Sequence, residues 1–233
     1  PWREPTAAVH ATSGELLVAD PAAGVVRVIV EDRPVAVLPM PPDLASGVAE
    51  FSTATAWSPS SLARGLDGSV LVGDPARRRL DRFTPDPKRA AGAWSWIERV
   101  DLGGEPLAPR AMVETADGIV LVDGDTDRLL EVRTAEEGPE VRVLDDAEIP
   151  GGWGRPMDLA VAEDGRLFVA DADRHRVIRL DAEGRYLGAF GERGPFPGLF
   201  QDPVGLDLVG ERLLVSDRLN HRISIFDLEG RSQ

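Results

Sequence analysis

The 233-residue chain contains no cysteine, which excludes disulfides and thiolate metal sites outright. Lysine is nearly absent as well: Lys88 is the one lysine among 26 basic residues. With abundant alanine, glycine and proline, that bias points to a GC-rich bacterial source. Histidine occurs three times, at His10, His175 and His221. No apolar run approaches the length of a membrane span, so no membrane insertion is expected. No serine sits in a G-x-S-x-G elbow. Positive charge is in deficit, with 26 basic against 40 acidic residues and a net charge of −14. Such a field repels polyphosphate, which argues against nucleic acid and anionic membrane as partners. The chain opens at Pro1 without an initiator methionine or signal peptide. It is therefore expected to be a segment of a longer protein, with a cytoplasmic location favoured.

What is present is a repeat. Five prolines, Pro5, Pro59, Pro109, Pro156 and Pro203, are each followed 14 or 15 residues later by an aspartate closing an apolar run. The runs read LLVAD, VLVGD, IVLVD, LFVAD and LLVSD, and end at Asp20, Asp74, Asp123, Asp171 and Asp217. Successive aspartates are 54, 49, 48 and 46 residues apart. A period of this length is the mark of a repeat architecture, and the units carry strand signals throughout.

The fourth unit shows how one repeat becomes four strands. Met157 to Val161 is a short apolar run, and Asp164-Gly165 readily closes a tight hairpin. Leu167 to Ala170 is unbroken in its apolar character, as a strand buried on both faces must be. Asp171 to His175 turns the chain, Arg176 to Leu180 alternates polar with apolar, and Arg185 to Phe190 makes an outer strand. Four antiparallel strands per unit, repeated, form a β-propeller blade. The expectation is an all-β propeller with five recognisable blades, residues 1–233 forming a single domain. The fifth unit runs out after Leu228-Glu229-Gly230, so its outer strand is missing. Either sequence outside the segment supplies a closing strand or a sixth blade, or the fifth blade is three-stranded. Pro1 to Glu4 is too short to serve. Insertions cluster in the links between blades, at Pro39 to Ser58 and Pro85 to Ala93, where a propeller tolerates length.

The stretch Gly188 to Asp227 resembles the NHL-repeat family of β-propellers. It carries the family's glycine and proline spacing at Gly188, Gly191, Gly198, Phe200, Pro203 and Gly205, and the naming signature as Asn220-His221-Arg222-Ile223. Asp171 to Leu180 matches nearly as well. In the first two units Gly24-Val25-Val26-Arg27 and Arg77-Arg78-Arg79-Leu80 stand in place of the signature. The resemblance implies six blades where five units are found.

Several constellations could carry function. An aspartate with an arginine five residues on recurs at Asp74/Arg79, Asp123/Arg128, Asp171/Arg176 and Asp217/Arg222. One job copied four times suits a structural turn tie better than a ring of catalytic acids. His175 and His221 occupy equivalent positions, whose counterparts are Gly24, Arg78 and Asp127, a poor donor set for a metal. Enzymatic propellers place acids, asparagines and histidines around the channel. Here the residues two after each proline are Ala7, Ser61, Ala111, Asp158 and Gly205; those five after it are His10, Arg64, Glu114, Val161 and Leu208. Arg64 spoils a cation site in the second set, and Asp158 and Asp207 are out of register by two. Trp57, Trp94, Trp96 and Trp153 fall in or beside the inter-blade links, where exposed rings could anchor a partner or cap the blade stack. Phe196 and Phe200 are expected to pack between blades.

These readings together predict a non-enzymatic scaffold without metal or cofactor, recognising a protein, peptide or glycan through loops on one face. Two alternatives stand beside it. One is a structural module of a larger assembly, such as a phage-tail-like particle. The other is a metal-dependent hydrolase or lyase.

Overall fold

The computed structural model describes residues 3, 5–42, 57–89, 92–103, 107–144 and 149–233. Most of the Pro39 to Ser58 link and parts of Pro1 to Glu4 and Pro85 to Ala93 lie outside those residues. Five antiparallel meanders follow one another as the blades of a β-propeller. The first contains β1 (Ala7–His10), β2 (Leu16–Asp20), β3 (Val25–Val30) and β4 (Arg33–Val37). The second contains β5 (Ser61–Arg64), β6 (Val70–Asp74), β7 (Arg79–Pro85) and β8 (Trp94–Arg99). The third contains β9 (Pro109–Thr115), β10 (Gly118–Asp123), β11 (Arg128–Ala135) and β12 (Gly138–Val143). The fourth contains β13 (Pro156–Val161), β14 (Leu167–Asp171), β15 (Arg176–Leu180) and β16 (Tyr186–Phe190). The fifth has three strands, β17 (Pro203–Val209), β18 (Arg212–Asp217) and β19 (Arg222–Asp227). No helix among the described residues is long and apolar enough to cross a membrane.

Contacts group the chain into two compact units. One holds residues 1–110 with 133–140, the other residues 111–132 with 141–233. In the first, Leu17, Val26 and Val28 pack with Val70, Val72, Phe83, Trp57 and Trp94. In the second, the period-2 side-chain rule divides β14 and β15 between two cores. Leu167, Val169 and Ile178 join a cluster with Val120, Val122 and Leu129 of the third blade. Phe168 and Val177 point the other way, into a cluster with Phe200, Leu213, Val215 and Phe226. Being lined on both sides is why the second strands are unbroken apolar runs: all of β6 and β14 is buried.

The turn between second and third strands ends alike in all five blades. It closes on a residue of positive φ: Gly24 at 66°, Arg78 at 53°, Asp127 at 54°, His175 at 54° and His221 at 51°. In the second, fourth and fifth blades a short 3-10 turn precedes it, at Pro75–Arg77, Ala172–Arg174 and Arg218–Asn220. The equivalent positions of the two histidines are thus explained by a left-handed backbone, which polar residues adopt at modest cost.

Past β19 the chain begins a fourth strand. Asp227 N–H donates to the Arg231 carbonyl at 3.0 Å and Ser232 bridges Phe226, matching Asp181 N–H to Arg185 at 2.9 Å and the Leu180–Tyr186 pair in the fourth blade.

Candidate functional site

The aspartate that closes each second strand is buried in all five blades. Among the described residues, in the first, second, fourth and fifth blades its carboxylate accepts backbone N–H groups from the link that arrives before the first strand. Asp20 accepts from Arg3 at 3.1 Å and Asp74 from Ser58 at 2.9 Å. Asp171 accepts from Gly154 at 3.1 Å and Arg155 at 3.0 Å. Asp217 accepts from Gln201 at 2.9 Å and Asp202 at 3.1 Å. Gly154 lies so close that a Cβ there would sit 2.5 Å from the Asp171 Oδ1.

The arginine five residues on faces its aspartate across the strand pair in each of the four predicted cases. Its side chain follows two courses. Arg176 holds Asp171 at 3.1 Å and donates to the Pro150 and Gly152 carbonyls at 2.9 and 2.6 Å. Arg222 lies 3.4 Å from Asp217 and donates to the carbonyls of Pro195 and Phe196 at 2.7 and 2.9 Å. Aspartate and arginine together grip the N–H and C=O groups of one link. Elsewhere the pattern shifts. Asp74 pairs with Arg77 at 3.3 Å, while Arg79 forks onto buried Asp81, whose carboxylate also receives Trp96 Nε1–H at 2.9 Å. Asp123 takes Thr126 N–H at 3.2 Å, and Arg128 is exposed. Asp81, two residues along the same strand from Arg79 and so on the same face, was the available signal for the Arg79 rearrangement.

These grips bring the links and turns of the fourth and fifth blades onto one surface. Asn220 Nδ2 donates to the Gly194 carbonyl at 2.9 Å, securing the same link that Arg222 holds. Asp202, 4% exposed, joins the two blades by accepting from Arg155 at 3.4 Å and Arg218 at 2.6 Å. The Asp173 carboxylate beside Arg155 raises that guanidinium above its ordinary value. On this scaffold Phe196 is 70% exposed and Leu219 57%. Phe200 is buried between blades as expected; Phe196 is not, because its link is bound through main-chain carbonyls and turns its ring outward.

The tryptophans do not provide the exposed anchors that their place in the links suggested. Trp57 and Trp94 are 2% and 3% exposed and belong to the first unit's core, Trp57 lying 6.1 Å from the Phe83 ring. A ring of that area gains more from burial than from solvent. Trp96 is half-buried through its bond to Asp81, and Trp153 packs half-buried against the third- and fourth-blade core.

A second constellation lies on the first strands. A register shift between Pro156 and Asp158 in β13 accompanies a carboxylate aimed at the next blade. Asp158 Oδ2 accepts Leu206 N–H at 2.8 Å and Oδ1 accepts Leu159 N–H at 2.9 Å. Burial pushes its pKa up to about 7 against those two donors, with a smaller push from the charge of Asp207. Asp158 and Asp207, out of register by two, are therefore close enough for the charge of one to bear on the other. Position Ser61, the counterpart of Asp158, bonds the Pro109 carbonyl at 2.8 Å. Among the described residues no three His, Asp or Glu side chains gather as a metal-ligand set.

Neither a family model nor a curated protein sequence matches the chain. Solved structures do. Virginiamycin B lyase from Staphylococcus aureus aligns at a TM-score of 0.64 and 18% identity, over 98% of this chain and 68% of that one. The nidogen/laminin complex aligns at 0.67 and 16%, over 98% and 78%. A gluconolactonase from Xanthomonas campestris aligns at 0.61 and 15%, over 91% and 69%. At such identities the likeness establishes the fold. It also corrects one expectation: propellers similar to this one include named enzymes as well as a protein-binding complex, so the non-enzymatic reading does not stand. What the comparisons establish is that the chain is a β-propeller.

Proposed function

We propose that the chain recognises a protein, peptide or glycan through the links and turns that meet on one surface of the fourth and fifth blades. The observation that carries this is Phe196: a phenylalanine 70% exposed on a link whose carbonyls are held by Arg222. Immobilised aromatic and arginine side chains are the groups that dominate binding energy at protein interfaces. Leu219 and Arg218 stand on the neighbouring turn, and Arg218 is fixed by Asp202. The net charge of −14 favours partners other than nucleic acid. The test is a display selection on the whole chain, with peptides and glycans as probes, repeated on Phe196→Ala/Leu219→Ala. Selected ligands should lose at least tenfold in affinity on the double variant; ligands indifferent to both residues refute the reading.

A second reading rests on Asp158. A carboxyl with a pKa of about 7 beside a second carboxylate is suited to proton transfer near neutrality. The likeness to a lyase and a gluconolactonase supports looking there. If a lactone or cyclic ester is turned over, the rate should change across a pH near 7, and Asp158→Asn should abolish that limb while the circular dichroism spectrum is kept.

A further inference from the structure

The link surface of the fourth and fifth blades sorts its charges by depth. Asp171, Asp202 and Asp217 are buried, their oxygens taken up by link N–H groups and by Arg155, Arg176 and Arg218. The guanidiniums stand outside them: Arg218 stays 59% exposed while bonded to Asp202. Arg174 and Arg193 are exposed, and their side chains form no hydrogen bond or ion pair among the described residues. Arg174 lies along the preceding link, its Nη1 3.0 Å from where a Gly151 Cβ would stand. Arg193 belongs to the link that carries Phe196. That link starts against the Arg174 turn, where a Gly191 Cβ would sit 3.1 Å from the His175 carbonyl. The exposed acids among them are Asp173, held by Arg155 at 2.9 Å, and Glu192. Arg174 and Arg193 outweigh Glu192, so a chain of net charge −14 reverses its sign beside Phe196 and Leu219.

Such a reversal selects a partner of complementary charge, because an interface excludes like charges that face each other. A guanidinium matches a carboxylate in shape as well as sign, through paired N–H bonds. The positive stretch is also short. The adjoining third-blade turn carries Asp125 and Asp127, and the charge of Asp127 acts on Arg155. A long polyanion would run onto that acidic turn, whereas a few carboxylates on a short chain would not. We infer, on the reading of this surface as a recognition site, that its partner is a short acidic peptide segment. Carboxylates of that segment pair with Arg174 and Arg193, and an apolar side chain packs on Phe196 and Leu219. Charge then governs the choice of partner and the rate of encounter, and the apolar contact supplies most of the hold.

The probes are three synthetic pools of acetylated octapeptides that share a randomised apolar centre and differ in flanking Glu, Gln or Lys. Capture should favour the Glu pool by at least about tenfold, and by less as salt screens the charges. Arg174→Ala/Arg193→Ala should lose that preference at an unchanged melting temperature, since neither side chain is bonded within the described fold. Arg174→Glu/Arg193→Glu should transfer the preference to the Lys pool, which lost packing alone would not do. Equal capture of the Glu and Gln pools, or none, overturns the inference, as does a Glu preference indifferent to both arginine variants. If ligands from either pool still weaken on Phe196→Ala/Leu219→Ala, the recognition surface stands and only its acidic partner is wrong. Glu-pool ligands lost with the arginines yet indifferent to Phe196→Ala/Leu219→Ala overturn both. A single-stranded oligonucleotide of equal charge that binds more tightly than the Glu pool also overturns the inference, the partner then being nucleic acid.

Discussion

At the scale of single residues, the left-handed turn position and the buried aspartate make opposite demands. His221 and His175 have φ of 51° and 54°, which costs an L-residue about 1–2 kcal/mol relative to a right-handed conformation. His221→Gly should therefore keep or raise the melting temperature, and His221→Val should lower it. A metal role predicts loss with both, so a calorimetric comparison distinguishes them. We expect Asp171→Ala to behave quite differently. It would leave the Gly154 and Arg155 N–H groups without their acceptor and Arg176 without its charge partner, at a cost of roughly 3–5 kcal/mol, as for a broken buried pair. Denaturant unfolding measures this; a change under 1 kcal/mol would remove the aspartate from any structural role. The aspartates were legible in the sequence because they repeat. Their partners were less so, since a five-residue spacing sets cross-strand position but not which carboxylate a long guanidinium reaches. Arg79 shows this by turning to Asp81.

For strands and links, legibility followed burial pattern. The unbroken runs at Leu167 to Ala170 and Val70 to Val72 could only be two-sided strands, and they are. The links were harder. Aromatic residues there could be read as core or surface: Trp57 packs against Phe83 in the core, whereas Phe196 stands exposed on a link whose carbonyls the distant Arg222 side chain holds. Phe200, wholly buried and 5.4 Å from the Phe226 ring, should behave as a core residue. Phe200→Ala is expected to cost about 3–5 kcal/mol. Phe196→Ala, one turn of the same link away, should cost under about 0.5 kcal/mol. Thermal melts of the two variants side by side check whether the link separates packing from display.

At the scale of the whole molecule, acidity couples to stability in two directions. Asp67, Asp164, Asp181, Asp227 and Glu229 are held below their ordinary range by hydrogen bonds and nearby arginines, so their contribution is lost as pH falls. Asp158 works the other way. Its folded pKa of about 7 lies above the ordinary 3.8, so its contribution is complete below about 4 and fades as pH rises to 7. The difference in melting temperature between the native chain and Asp158→Asn should shift against the native chain across that window, by about 2–4 °C for each kcal/mol. A difference that stays flat from pH 4 to 7 would mean that Asp158 is ionised throughout.

The grip on the links has a consequence for how such a chain can change over generations. Asp217 and Arg222 hold the N–H and C=O groups of Gln201, Asp202, Pro195 and Phe196, and apart from proline's missing N–H those groups are common to every amino acid. A substitution at Phe196 alters what the surface displays without touching what fastens it. The display positions are thus free to drift under selection for new partners, while the gripping pair is not. Lineages that share this blade should differ most at the ring of Phe196 and least at the carboxylate sixteen residues after Gln201.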